Sequence, residues 1–146
     1  MDIVYSKDGM YIITAEKYEF DENGLTSEHI TDTLCSALNI YSLPSHTVAE
    51  IHENAENLMI FARIPPSFYI FETFEDVISA CTYCSAENAS LYYYDDEYIL
   101  SVPLPNTILD EFSDRLEYSQ NLTEFLSEHG KLLIEYDAVN FVKNTF

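Results

Sequence analysis

The chain has no tryptophan, only three glycines, and six lysines and arginines together among its 146 residues. With glycine confined to Gly9, Gly24 and Gly130, no glycine-rich loop can wrap backbone N–H groups around a phosphate, so the common nucleotide-binding fingerprints are excluded. The shortage of bases goes further. Twenty-six acids face six bases, a formal net charge of −20, and between Lys17 and Arg115 the single base Arg63 stands against eighteen acids. That field repels nucleic-acid phosphates and anionic lipid surfaces, so neither nucleic acid nor membrane is expected as a partner. Three cysteines, an odd number, do not suggest a secreted disulfide framework. The longest apolar run, "LMIFA", is far too short to span a bilayer. The start "MDIVYSKDG" has neither the basic nor the apolar region of a signal peptide. A reduced, cytoplasmic chain is the expectation.

What is present is aromatic and apolar. Twelve tyrosines and nine phenylalanines stand in a chain that is 47% hydrophobic, a globular composition. A chain of this length buries roughly 70% of its extended-state surface, enough for a core without metal or disulfide staples. The acid excess serves solubility, and it also suits a partner with a basic docking face.

Patterning organises the chain into two halves. Residues 2 to 6 and 10 to 14 read as strands around "SKDG", and "KYEFDENG" as a polar connection. "TSEHITDTLCSALN" places Ile30, Leu34, Ala37 and Leu38 on one helical face, with Thr26 or Ser27 as N-cap. "HTVAEI" and "LMIFARI" form a second hairpin, and Pro65-Pro66 then interrupts any ladder. Beyond it, "SFYIF" reads as a strand and "TFEDVISACTYC" as a helix capped by Thr73 with Asp76. In "LYYYDDEYILSV", Leu91 and Tyr93 share one face of a hairpin arm, Tyr98, Leu100 and Val102 share a face of the other, and the acids sit at the tip. "NTILDEFSDRLEYS", with Leu109, Phe112 and Leu116 on one side and Thr107 as cap, reads as one helix. "LTEFLSEHG" is a short helix closing on Gly130 as the residue past its end, "KLLIEY" a strand, and "DAVNFVKNTF" a terminal helix capped by Asp137. The order ββαββ, then βαββααβα, predicts an α+β fold of antiparallel sheets with helices packed on one face. The halves run 1–64 and 67–146.

Reactive chemistry finds little footing. Cys81 and Cys84 spell C-x-x-C, but no second pair follows to complete a zinc site, and at i and i+3 beside an apolar helical stripe they read as small hydrophobes. His29, His46, His52 and His129 show no ligand spacing. Asp95, Asp96 and Glu97 fall at a hairpin tip, where acids are ordinary turn residues, and no calcium-loop spacing continues from them. No G-x-S-x-G occurs. The expectation is a surface and not an enzyme, with no catalytic, metal or cofactor site. Outward tyrosines of the hairpin, Tyr92 or Tyr94, are amphipathic contact candidates.

"FETFEDVI", "LYYYDDEYILSVPL", "EYS", "SEHGKLLI" and "AVNFVKNTF" occur in this order over residues 68 to 146, and together they resemble the C-terminal domain of the MecA family of adaptor proteins. The N-terminal half resembles that family's substrate-binding domain in element order and in "ENLMIFARI". The resemblance implies a non-enzymatic adaptor that brings protein substrates to an AAA+ unfoldase of the ClpC type and so to the ClpCP protease, with competence regulation as the best-known outcome. It implies that the C-terminal part docks on the unfoldase through acids while the N-terminal part holds the substrate. By position, those acids fall on Glu128 and on Glu117 with Tyr118, in what the family has as a helix. The interval from Glu117 to Gly130 is shorter than the family's, which makes Glu111 with Phe112 a rival. The family's long acidic linker is replaced here by Pro65-Pro66. Two other readings stand beside this one: a related interaction module without unfoldase docking, with a homo-oligomer among its forms, and a metal-dependent hydrolase using the surplus acids.

Overall fold

The computed structural model describes residues 1–5, 9–17, 26–118 and 121–146. The expected turn at "SKDG" and the connection "KYEFDENG" therefore lie largely outside the described residues. The chain divides into two compact units, Met1–Ile64 and Pro65–Phe146.

The first unit is an antiparallel sheet of β1 (Asp2–Tyr5), β2 (Met10–Glu16), β3 (Val48–Glu53) and β4 (Asn57–Arg63), in the order β1-β2-β4-β3, with helix α1 (Ser27–Leu38) between β2 and β3 in sequence. Thr26 caps α1 by accepting from the His29 N–H at 3.1 Å, and Asn39 ends it with φ 55°, a left-handed conformation that asparagine tolerates. Alternation is clean in the two central strands. Tyr11, Ile13 and Ala15 of β2 and Leu58, Ile60 and Ala62 of β4 are buried on one face, along with Leu34 of α1. The β3–β4 turn is tied by Asn54, whose Oδ1 accepts from the N–H groups of Glu56 and Asn57.

The second unit is built on β5 (Ser67–Phe71), all five residues of which are buried. Around it lie β6 (Ser90–Tyr94), β7 (Glu97–Val102), β8 (Arg115–Tyr118) and β9 (Lys131–Ile134), in the order β8-β5-β7-β6-β9, all antiparallel. Four helices accompany the sheet: α2 (Phe74–Tyr83), α3 (Thr107–Phe112), α4 (Leu122–His129) and α5 (Ala138–Thr145). The fold is α+β with antiparallel sheets. Tyr69, Phe71, Leu91 and Leu100 project from one face into a core with Val77 and Cys81 of α2, Leu109 of α3, and Val139 and Val142 of α5. Phe68, Ile70 and Ile99 project from the other face and meet Leu126 of α4. The second sheet is thus sandwiched, three helices on one side and α4 on the other. That is why β5 shows no alternation of exposure: a strand covered on both faces buries every residue.

The hairpin "LYYYDDEYILSV" forms as expected, and its register sets Leu91 opposite Leu100 and Tyr93 opposite Tyr98. Its turn is Asp95-Asp96 alone, both left-handed at φ 50° and 61°, the two-residue form that matches strand twist. Glu97 already belongs to β7.

One predicted element is corrected. The segment read as a single helix over "NTILDEFSDRLEYS" is helix only through Phe112; after Ser113 and Asp114 it becomes β8. The Asp114 N–H donates to the Ile70 carbonyl at 2.8 Å and its Oδ2 accepts from the Glu72 N–H at 2.8 Å, which turns the chain onto the edge of β5. The cap of α3 is Asn106, not Thr107: its Oδ1 accepts from the N–H groups of Ile108 and Leu109 at 3.0 and 3.1 Å.

Candidate partner-binding site

β8 sets the geometry of the candidate acids. Register pairs Arg115 with Ile70, Leu116 with Tyr69, Glu117 with Phe68 and Tyr118 with Ser67. Residues paired across a sheet share a face, so Arg115 and Glu117 lie on the α4 side while Leu116 and Tyr118 lie on the side of α2, α3 and α5. The Glu-Tyr pair expected on a helix is therefore on a strand, and the sheet separates its two members. Tyr118 is half-buried; burial is the largest influence on its hydroxyl and raises its pKa, with the charge of Asp110 on α3 adding to it.

Arg115 organises the α4 side at this edge. Its guanidinium grips Glu97 as a fork, Nη1 to Oε2 at 2.7 Å and Nη2 to Oε1 at 2.9 Å, and its Nε donates to Glu117 Oε1 at 3.3 Å. The hydrogen bonds from Arg115 hold the Glu97 carboxyl below the usual carboxylate range, against a smaller opposing effect of burial, and the Glu97 bond raises the guanidinium's pKa in turn. Glu117 is half-exposed.

Glu128 projects from α4 with 75% of its side chain exposed, 3.8 Å from the imidazole of its neighbour His129. Gly130 follows it, but not in the left-handed conformation expected of a residue past a helix end: its φ is −89°. Glycine is needed there for space, since a Cβ would sit 2.9 Å from the Leu126 carbonyl oxygen. Tyr92 and Tyr94 point to the α4 side and are half-buried beneath it, packed against Phe68, Ile70, Ile99 and Leu126. Tyr94 also meets Phe125 edge-on, ring centroids 5.0 Å apart. Their position is one of support for α4. Glu111 is exposed on α3, across the sheet from Glu117 and Glu128.

The structure so brings Glu117, Glu128, Tyr92 and Tyr94 to one side and puts Tyr118 and Glu111 on the other. Sequence reasoning read Glu97 only as a turn acid and missed its pairing with Arg115, eighteen residues away across β5, and it missed Phe125, 38% exposed on α4. The C-x-x-C pair is buried in the core, Cys81 at 0% and Cys84 at 1% exposure, both free thiols. A hydrogen bond between the thiols raises the pKa of Cys81 and lowers that of Cys84. A cation that the local sequence does not contain also stands here: Lys143 of α5 donates from Nζ to the Cys84 carbonyl at 2.7 Å. Among the described residues no three histidines, cysteines or acids are placed to hold a metal ion, and no helix is long and apolar enough to cross a membrane.

Fold and site together define an acidic, two-unit α+β protein whose prominent charged groups lie on open surface around a sandwiched sheet. Comparison with known proteins gives the family. Residues 45–142 match the family model described as negative regulator of genetic competence (MecA), and the chain belongs to the MecA family. It is 30% identical over 87 residues to the adapter protein MecA of Limosilactobacillus reuteri strain DSM 20016, and equally to that of L. reuteri subsp. reuteri strain JCM 1112. Each alignment covers 52% of this chain and 39% of the relative, so the match spans well under half of those proteins' length. No solved structure matches significantly.

Proposed function

We propose that this protein is a non-enzymatic, cytoplasmic adaptor that docks on an AAA+ unfoldase of the ClpC type through its second unit. Its first unit holds protein substrates for delivery to the ClpCP protease, in the manner of a negative regulator of competence. The observation that carries this reading is the family match over residues 45–142, which takes in the whole of the sandwiched second sheet. The grouping of Glu117 and Glu128 on the α4 side favours that side as the docking face. Glu117 is steadied by Arg115, and a pre-positioned acid loses less freedom when a basic partner binds. Glu128 sits in the last turn of α4, at the negative end of the helix dipole, where a carboxylate is locally unfavourable; a basic partner relieves that cost.

Charge reversal tests it. Glu128→Lys should leave the thermal midpoint unchanged or slightly raised, yet weaken binding to a ClpC-type unfoldase. The loss should be about 2–5 kcal/mol if the contact is desolvated and below about 1 at a rim. Glu117→Lys should weaken binding similarly, and Glu111→Lys, on the far side of the sheet, should bind like the parent. If Glu111→Lys alone loses affinity, docking moves to the α3 side, where Tyr118 lies. If all three variants bind as the parent does, the acidic docking face is wrong.

A further inference from the structure

Among the described residues, the first unit's sheet has one buried face and one exposed face. Since Tyr11, Ile13 and Ala15 of β2 and Leu58, Ile60 and Ala62 of β4 fill the buried side, alternation turns their neighbours outward. Register lines up Val4, Ile12 and Phe61 across three strands, with Glu50 as the next residue in the row. Met59 lies beside this row, paired to His52 on one flank and Thr14 on the other. None of these side chains is buried, and Val4, Val48 and Met59 are exposed by 60%, 59% and 37%. An apolar sheet face left open is the half of a layer pair, and α4 supplies the missing half for the second sheet.

Three features describe what would cover it. Four strands at their usual spacing set the outer rows about 14 Å apart, close to the width of one α-helix with its side chains, about 10–12 Å. The two edge strands put carboxylates at the borders, Asp2 on β1 and Glu50 on β3, the latter 3.3 Å from the His52 imidazole, while among the lysines and arginines of the described residues Arg63 faces outward between them. At the end of the sheet by Met59 an open hollow of about 690 Å³, lined in part by Asp2, Thr14 and His52 of this face and by Ala15 and Leu58 of the other, leaves room for a bulky side chain at the border. A flat apolar strip edged with acids complements a helix whose apolar stripe is edged with bases.

We propose that this face takes an amphipathic helix of a client protein, its apolar stripe on Ile12, Phe61 and Met59 and its flanking lysines or arginines against Asp2 and Glu50. The inference rests on the reading of the first unit as the client-holding part and adds the client's chemistry. The test is a fluorescence-anisotropy titration of the full chain with a synthetic helical peptide of about five turns, leucines along one stripe and lysines beside it. Saturable binding is expected. It should fall at least about tenfold for the Met59→Lys, Val48→Lys double variant, whose positions are exposed and cost little folding stability. It should fall comparably when glutamates replace the peptide's lysines. No binding, equal binding by parent and double variant, or indifference to the peptide's charge would overturn the proposal. So would a concentration-dependent dimer of the parent that the double variant abolishes, since a second copy would then own the face. Unfoldase binding by the Glu117 and Glu128 variants is a separate titration: if it behaves as expected while the peptide fails here, only the client face falls, whereas failure there bears on the adaptor reading itself.

Discussion

Arg115 shows how a single side chain can gather charge from two strands at one edge. Its fork on Glu97 crosses the central strand, and its Nε steadies Glu117. Because the folded Glu97 carboxyl titrates below the usual carboxylate value, the unfolded chain takes up that proton first as the medium is acidified. The pair's contribution is therefore complete above the ordinary carboxylate pKa and disappears as pH falls through the lower folded one. Both partners are partly solvated, so the contribution is modest, about 0.5–1 kcal/mol. Urea unfolding of Glu97→Gln should show a deficit of that size at pH 7 and none once the medium protonates the parent's own carboxyl. An equal deficit at both pH values would mean that the loss comes from packing and not from charge. Nothing in the local sequence links these residues. By contrast, the fate of Cys81 and Cys84 was legible, because an apolar stripe at helical spacing decides burial whatever the cysteines' chemistry. Lys143 was not, since α5 reaches them only through the fold.

At the scale of elements, α3 and its cap tie the helix layer to the central strand. The fully buried Tyr69 hydroxyl accepts from the Asn106 N–H at 2.8 Å and faces the Asn106 carbonyl at 3.2 Å. Asn106 meanwhile caps α3 and donates from Nδ2 to the Ser85 carbonyl at 3.3 Å. Asn106→Ala should cost about 1–2 kcal/mol through the lost cap. Tyr69→Phe should cost about 1–3 kcal/mol, because it leaves the Asn106 N–H buried without its partner. As the Asn106 side chain helps place the backbone groups that Tyr69 bonds, the two changes should couple and the double variant should lose less than the sum, as chemical denaturation of all four proteins would show. Strict additivity would mean that the two residues act independently. The helix α2 could be read locally, its Thr73 cap, three residues before the Asp76 N–H that it accepts, and its stripe all lying within twelve residues. The strand β8 could not. Leu109, Phe112 and Leu116 fit a helical stripe, but Arg115 to Tyr118 alternate in exposure once they pair with β5, and the gain from joining a buried strand overrides a weak local preference.

For the whole molecule the dominant fact is the charge of −20. Such a field extends beyond the surface only as far as salt allows, about 10 Å at 0.1 M ionic strength and 3 Å at 1 M. Association with a basic partner should therefore slow several-fold between low and high salt while dissociation changes little. Stopped-flow measurement of both rates against an unfoldase of the ClpC type separates them. Association that ignores salt would remove long-range attraction from the mechanism.

The sequence by itself determined the class of fold, the hairpin with its acidic tip after Tyr94, the burial of the thiol pair and the acidic character of the chain. Each of these depends on composition or on residues within one or two turns of one another. Only the tertiary structure decided which acids can act together. Glu117 and Glu128 share the α4 side, while Tyr118, the very next residue after Glu117, lies across the sheet. A strand sends neighbours to opposite faces, and which face each receives is set by its register against β5. That register is a pairing between segments nearly fifty residues apart, and local patterning carries no record of it.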